Sequence, residues 1–396
     1  MNNNTILNNI TLSEWNEEIT NSLMPNIIIL SVYLAFGTCG NVFVLLVYAF
    51  QMKEPSDERY FIPILAFFDM IAIIYLGVHY IFQCFNQTTF SNNILCRTLV
   101  FFVANTTYNS VSILFIIAVQ RYRKVCMPLK LPMSISVKRT ALFIAIIISL
   151  LFALPLSFVY GTIPYHSTNY GISGMRCGRL KEEHASIKIM YSIVSSILAF
   201  AVVTLLIIIY GRILKTVFSS LKVQKNDASG AKKEIEKTDD DKNLPHIECK
   251  DMEMMTSSNQ SMIPETKPDF VGQQAIKSRP VANNMESTAS RKRRIINRRI
   301  TNKLTVMFFI TTTVFVLCFI PKVAIMGLEG IDEDFWENLS TSQRPGVTFI
   351  YHIFIINNIV NPIIYAFMDI EFRDNAAILL KRMFIKPCFC IRRIRV

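Results

Sequence analysis

Seven long apolar stretches alternate with polar segments along this chain of 396 residues. Each is long enough for the roughly 20 helical residues that cross a bilayer. Five contain no Asp, Glu, Lys or Arg, the second contains only Asp69 and the sixth only Lys322. Backbone groups in lipid must bond within their own segment, which favours helices. The pattern predicts an all-α membrane protein, a seven-transmembrane helix bundle with these spans: Ile27–Phe50, Tyr60–Cys84, Leu99–Gln120, Thr140–Tyr160, Ile189–Tyr210, Leu304–Leu328 and Val347–Met368.

The polar segments predict three regions. Residues 1–26 form an N-terminal segment, residues 27–368 the membrane domain and residues 369–396 a C-terminal tail. Most connections are short, but about 221–291 form a long loop rich in Lys, Glu, Asp, Ser and Asn with few aromatic residues. Such a composition predicts disorder.

Positive charge fixes the predicted orientation. With the N-terminus outside, the outer connections hold four Lys and Arg residues and the inner ones hold 34. Because Lys and Arg gather on the cytoplasmic side, the N-terminus is expected outside and the C-terminus inside, in a multi-pass protein of the plasma membrane. The net charge of +12 lies in loops beside apolar spans, which favours membrane lipids over nucleic acid as its partner. Four outer sequons predict glycosylation, at Asn3, Asn9, Asn86 and Asn338.

Asp69 is the one acid within the predicted spans. A buried carboxylate is costly in lipid, so it suggests function. Its candidate partners lie near the middle or inner half of their helices: Asn41, Ser110, Asn357, Asn358 and Asn361. An anion among neutral oxygen groups suits a cation such as Na⁺, or a protonation switch. A hydrogen-bonded packing network without an ion is the alternative.

Several short motifs fall in matching order along the spans. They are Gly40-Asn41, Leu65-Ala66-Phe67-Phe68-Asp69, Gln120-Arg121-Tyr122 with Cys96 25 residues before its Arg, Phe315-Val316-Leu317-Cys318-Phe319-Ile320-Pro321, and Asn361-Pro362-Ile363-Ile364-Tyr365. Together they resemble the rhodopsin-like (class A) G-protein-coupled receptors over all seven spans. The resemblance also implies that Phe372 and Arg373 open a short amphipathic eighth helix on the inner surface.

The resemblance implies a signalling role for the motif residues. Arg121 would hold the inner helix ends and meet a heterotrimeric G-protein, and Tyr210 and Tyr365 would swing toward it. Proline removes a backbone hydrogen bond, so Pro321 and Pro362 would permit bending. Phe315 and Phe319 would carry motion from the ligand pocket, or simply pack. Arrestin would bind through phosphorylated sites in the third inner loop.

Gln120 is a departure from the family pattern. Family members carry an acid there that restrains the following Arg in the resting state, and Thr301 stands where some carry a second acid. We therefore expect weaker restraint on Arg121 and higher ligand-free signalling.

The resemblance also assigns cysteines. Cys96 and Cys177 would form an outer disulfide that pins the second outer loop. Cys388 and Cys390, beside basic residues after the last helix, suit palmitoylation, with free thiols as the alternative.

The outer half of the spans suggests the ligand. Amine receptors of the family carry an Asp where this chain has Val103, so a small amine is not expected. Lys322 suits an anionic ligand group, or else it extends to water or pairs with an outer acid. An acidic rim at the outer end favours a basic peptide, so a neuropeptide is the predicted ligand and a small acidic or lipid ligand the alternative. The rim consists of Glu14, Glu17, Glu18, Glu329, Asp332, Glu333, Asp334 and Glu337. Other candidate contacts are His79, Tyr80, Gln83, Tyr351 and His352.

Two other classes compete with a receptor. A seven-helix transporter or channel would usually show internal repeats, and none is visible in the sequence. An enzyme would need a nucleophile–base pair or a metal cluster, and neither pattern occurs. A receptor that is not an enzyme is therefore predicted.

Overall fold

A computed structural model describes residues 10–52, 57–167, 170–180, 185–239, 288–332 and 334–391. The chain divides into two compact units: residues 1–217 with 298–396, and residues 218–297. The predicted glycosylation sites Asn3 and Asn9 and most of the third inner loop lie outside the described residues.

After an N-terminal helix, α1 (Leu12–Ser22), seven helices among the described residues are long and apolar enough to cross a membrane. This confirms the predicted seven-helix fold. The helices are α2 (Met24–Phe50), a 3₁₀ turn η1 (Asp57–Arg59) with α3 (Phe61–Phe85), α4 (Asn93–Cys126), α5 (Ile135–Ala153) with α6 (Leu156–Val159), α7 (Ala185–Asp239), α8 (Thr288–Ile331), and α9 (Arg344–His352) with the 3₁₀ turn η2 (Ile353–Ile356) and α10 (Asn357–Met368).

Helix α1 is an element that the sequence analysis did not predict. Thr11 accepts a hydrogen bond from the backbone N–H of Glu14, and the Glu14 carboxylate accepts one from the backbone N–H of Thr11. These bonds form a capping box, and the bonds that the Thr11 backbone N–H and hydroxyl donate to the carboxylate lower the pKa of Glu14. Trp15 and Ile19 are buried against α3 and the second outer loop. We call the end of the bundle that carries α1 the outer end and the opposite end the inner end.

A two-stranded antiparallel hairpin also departs from the predicted all-α fold. It pairs β1 (Tyr160–His166) with β2 (Ser173–Arg179) in the second outer loop. Tyr160 therefore opens a strand rather than ending the fourth span. Burial alternates along β1, where Ile163 and Tyr165 face inward, as expected for a half-buried strand.

The third inner loop is shorter than predicted. Helix α7 continues to Asp239 and α8 begins at Thr288, so both described ends of the predicted disordered segment are helical. Good helix formers such as Ala231, Lys232 and Glu234 explain the extension of α7. A further helix, α11 (Ile370–Ile391), follows α10 after an extended residue at Asp369. Its position on the inner membrane surface remains a prediction.

The membrane-spanning unit buries a limited number of polar side chains and exposes apolar ones. Large apolar side chains such as Phe36, Phe200 and Phe367 are exposed on its flanks, where they would face lipid. The inner half of the bundle is filled by a cluster that includes Ile62, Leu114 and Phe308. Buried polar side chains within this packing therefore mark the candidate functional regions.

Candidate functional site

The middle of the bundle holds Asp69, which is fully buried on α3. Its Oδ2 accepts a hydrogen bond of 2.6 Å from the side-chain amide of Asn361 on α10. The Asn41 amide on α2 donates to the Asn358 carbonyl over 2.8 Å, whereas Ser110 donates within its own helix. A Cβ placed on Gly40 would lie 3.2 Å from the Pro362 ring, so glycine permits the close approach of α2 and α10. Two sequence motifs thus meet at this point.

Several oxygen atoms in this region lack a hydrogen-bond partner within the described structure. They are the Oδ1 atoms of Asp69, Asn41, Asn357, Asn358 and Asn361. A buried acceptor without a donor costs free energy, and a cation with oxygen ligands would satisfy such atoms. These oxygen atoms are of the kind that Na⁺ takes as ligands, and the sodium site and the packing network both stay predictions. A small cavity beside it is lined by residues that include Ser110, Asn357 and Asn358.

Arg121 lies at the inner end of α4 and is 1% exposed. Its guanidinium donates to the backbone carbonyl of Glu58 in η1, and Nη1 lies 3.7 Å from Glu58 Oε2. The guanidinium also lies 4.7 Å above the ring of Phe308 on α8. Gln120 donates to the Asp57 carbonyl over 3.0 Å. Glu58, an acid outside the motif, therefore faces Arg121. The sequence alone did not indicate this acid.

The other motif residues form two further groups. Tyr210 is buried against α8, and its hydroxyl accepts a 3.0 Å hydrogen bond from Thr312. Tyr365 is also buried, but its hydroxyl has no hydrogen-bond partner within the described structure. Phe315 and Phe319 are adjacent on α8, with ring centroids 4.4 Å apart, and Phe319 continues to Phe354 of η2. This aromatic series connects the middle of the bundle with the outer half.

Tyr122 contacts a different helix from Arg121. Its hydroxyl accepts a 3.3 Å hydrogen bond from Arg212 on α7. Adjacent residues of one motif thus contact different helices, as neighbouring positions on a helix must.

The predicted disulfide between Cys96 and Cys177 is confirmed, with Cα atoms 5.5 Å apart. It fixes β2 to the first turns of α4. The side-chain oxygen of Asn93 accepts a hydrogen bond from the Thr162 backbone N–H over 3.1 Å, which ties β1 to the same helix. The hairpin therefore has a fixed position at the outer end.

Lys322 follows Pro321 on α8 and is 7% exposed. Its Nζ lies 3.5 Å from the ring centroid of Phe354 and 5.4 Å from that of Tyr351, both favourable cation–π distances. Among the residues that the structure describes, no acid lies within ion-pair distance of Lys322. Within the described residues Lys322 is thus buried and has no acidic partner, and both interpretations of its role stay predictions.

Most other predicted ligand residues surround the same aromatic group. Tyr80 lies 4.2 Å from the His352 ring and 4.8 Å from the His79 ring, centroid to centroid. Both histidines are buried, and their Nδ1 atoms have no partner within the described structure. Val103 packs at the edge of this cluster, whereas Gln83 is only half-buried, near the outer end of α3. We call Lys322, His79 and His352 the outer nitrogen cluster.

Part of the predicted acidic rim is already engaged. The Tyr170 hydroxyl donates to Glu18 over 2.8 Å, which raises the pKa of Tyr170, and Arg176 lies 3.5 Å from Glu337. Glu17 and Asp332 are exposed at the outer end, and the Asp332 carboxylate accepts hydrogen bonds from the Asp334 backbone N–H and the Asn338 side chain. The acidic surface available to a ligand is therefore smaller than the sequence suggested.

Helix α1 covers one side of the outer end through Trp15, whose ring lies 4.8 Å from that of Tyr165. We expect Trp15→Ala to release α1, because large-to-small changes at buried aromatic sites cost about 3–5 kcal/mol. Hydrogen–deuterium exchange should then be about tenfold faster or more over Leu12–Ser22. Glu17→Ala, on the exposed face, is the matched control. Equal protection in both variants would contradict the docking of α1.

The remaining predicted modification sites are partly described. Asn338 is exposed, whereas the sequon at Asn86 contains a fully buried Thr88. Cys388 and Cys390 lie near the end of α11. Glycosylation and palmitoylation at these positions remain predictions.

Comparison with known proteins supports the assignment of these regions. Residues 40–365 match the family model described as 7 transmembrane receptor (rhodopsin family). The chain is also similar to a cholecystokinin receptor of Xenopus laevis, with 22% identity over 372 residues that cover 93% of this chain and 79% of that protein.

Proposed function

This chain belongs to the rhodopsin family of seven-transmembrane receptors, and from that membership we propose that it binds an extracellular peptide and activates a heterotrimeric G-protein. Members of this family are receptors rather than enzymes. The alternative of a transporter or channel is therefore not retained. The receptor would lie in the plasma membrane with its N-terminus outside. The asymmetry of Lys and Arg and the outer disulfide support this orientation.

The observation that carries the peptide proposal is the separation of two opposite charges at the outer end. The outer nitrogen cluster lies deep and lacks an acidic partner within the described residues, so it suits a ligand anion or a group rich in acceptor oxygens. Asp332 lies exposed just beyond the end of α8 and suits a ligand cation. A ligand that satisfies both must carry both charges.

Helix geometry sets the length of such a ligand. Lys322 and Ile331 lie on the same helix, and a rise of 1.5 Å per residue separates them by about 14 Å. An extended chain covers this distance with about four residues. A short peptide therefore fits both charges, whereas a small organic acid fits only the deep one. The relative from Xenopus laevis is a cholecystokinin receptor, which agrees with this proposal.

The alternative ligand is a small acid or a lipid with an anionic head group, which the buried Lys322 alone would favour. Membranes containing the receptor can be screened with short peptides, small carboxylic acids and anionic lipids. We expect at least one peptide with both charges to accelerate nucleotide exchange on a purified G-protein. Activation by acids or lipids alone would contradict the peptide proposal, and exchange in receptor-free membranes provides the control.

Two further partners follow from the family. Na⁺ would bind among the oxygen atoms around Asp69, where it would supply the positive charge that the described residues lack there.

Arrestin would bind through the third inner loop, whose Ser and Thr residues between 251 and 287 lie outside the described residues. Deletion of Asp251–Ser290, which also removes the candidate sites Thr288 and Ser290, should abolish arrestin recruitment without loss of G-protein activation.

A further inference from the structure

We propose that Glu58, in the turn η1 before α3, is the acid that restrains Arg121 and holds the inner end of α8 in the ligand-free receptor. The effect of this restraint on signalling rests on the proposed coupling to a G-protein. The restraint itself is a matter of contacts between η1, α4 and α8. It replaces the expectation, drawn from Gln120, that Arg121 is weakly restrained.

The Glu58 carboxylate is a shared partner for two helices. Its Oε1 accepts a 2.7 Å hydrogen bond from the hydroxyl of Thr301 on α8 and lies 2.9 Å from Lys124 Nζ on α4. Its Oε2 lies 3.7 Å from Arg121 Nη1, and its backbone carbonyl accepts a hydrogen bond from the same guanidinium. One residue of η1 therefore contacts both α4 and α8.

Arg121 needs such a partner because it is buried. A charged side chain removed from water is costly unless it is paired and hydrogen-bonded. Among the described residues, Glu58 is the acid within ion-pair distance of Arg121. Gln120 cannot supply the charge, and its amide donates instead to the Asp57 carbonyl. The acid that the motif lacks is thus provided from 63 residues earlier in the chain.

The turn that carries Glu58 is itself fixed in place. Lys138, fully buried on α5, forms an ion pair with Asp57. Arg59 pairs with Asp369, whose Oδ2 lies 2.8 Å from its Nε. Because both neighbours are anchored to other elements, the Glu58 carboxylate cannot follow α8 if that helix moves. Any displacement of the inner end of α8 away from η1 would break the Thr301 bond and separate Phe308 from Arg121.

An exposed acid at the same end of the bundle provides a control for a test. Glu58→Gln and Asp374→Asn each remove one negative charge from the inner end, but only the first removes the acid that faces Arg121 and Thr301, because Asp374 lies on the exposed face of α11. Basal nucleotide exchange would be measured on a panel of purified G-proteins and normalised to surface receptor. We expect Glu58→Gln to raise basal exchange about fivefold or more, as for a typical coupling between sites. Asp374→Asn should change it less than about twofold, as expected for a surface substitution.

A rescue separates restraint from a merely structural effect. Gln120→Glu added to Glu58→Gln returns an acid beside Arg121 and should bring basal exchange back toward wild type. A simple folding defect would not be repaired by this second change. Failure of the double variant to lower the exchange of Glu58→Gln would therefore overturn the proposal.

A distance measurement tests the restraint without a G-protein. Spin labels at the exposed positions 136 on α5 and 303 on α8 would report the inner end of α8, in a background without accessible native cysteines. We expect Glu58→Gln to broaden this distance distribution and Asp374→Asn to leave it unchanged. An unchanged distribution for Glu58→Gln would overturn the proposal. A broadened distribution with unaltered exchange on every G-protein would instead contradict the proposed coupling and leave the restraint supported.

Discussion

Replacement of Lys322 by Met is expected to lower the potency of the activating ligand about 30-fold or more. Loss of one partner of a buried charge pair typically costs at least 2 kcal/mol, and each 1.4 kcal/mol is a factor of ten in affinity. Lys322 is buried over Phe354 without an acidic partner among the described residues, so the ligand would supply the missing negative charge. A dose–response curve for nucleotide exchange measures the effect.

Two variants make this result specific to the charge. Lys322→Arg keeps the positive charge and should retain more potency than Lys322→Met. Val323→Met alters the next residue, whose side chain is exposed on the flank of α8, and should leave potency unchanged. A wild-type curve for Lys322→Met would refute the role of Lys322. A peptide whose acidic groups are neutralised should lose potency at the wild-type receptor but little more at Lys322→Met.

Arg59→Met is expected to cause the largest loss of stability. Arg59 makes two bonds to Asp369, of 2.8 Å and 3.0 Å, and the two side chains are 5% and 2% exposed. Removal of one partner of a buried ion pair costs about 3–5 kcal/mol, because the other charge stays buried. Asp369 also accepts a hydrogen bond from the Phe372 backbone N–H at the start of α11. The apparent melting temperature of purified receptor should fall clearly.

The second acid that contacts Arg59 supplies the control. Glu371 Oε2 lies 2.7 Å from Arg59 Nη1, but the Glu371 side chain is 51% exposed. Exposed pairs contribute about 0–1 kcal/mol, so Glu371→Gln should have little effect on the melting temperature. Apolar replacement of both buried partners, Arg59→Met with Asp369→Leu, should recover part of the loss. Equal melting temperatures for Arg59→Met and Glu371→Gln would contradict the importance of the buried pair.

The spanning helices could be predicted because lipid imposes a strict rule on each segment. The predicted fourth span carries no charge from Thr140 to its end. A helix such as α5 is therefore expected to be stable in lipid rather than in water. The bond between Asp69 and Asn361 was also foreseeable, since each residue belongs to a recognisable motif within a span. Local pattern and motif order were sufficient for these features.

Other features depend on contacts that no local pattern encodes. Glu58 precedes the second predicted span and looks like an ordinary loop acid, and it acquires its role only when α4 and α8 are packed beside it. The pair of Arg59 and Asp369 joins residues 310 apart. Helix α1 is a different case, because Thr11 and Glu14 have the spacing of a capping box and could have indicated a helix start.

The position of Glu58 has an evolutionary consequence. If a single negative charge beside the buried arginine is what selection preserves, its source in the sequence can change. Relatives of this receptor that lack an acid at the position of Glu58 should carry one at the position of Gln120, and lineages with both should tolerate the loss of either. The two sites would then covary as alternatives, so a departure from the family motif would record the relocation of a charge rather than its loss.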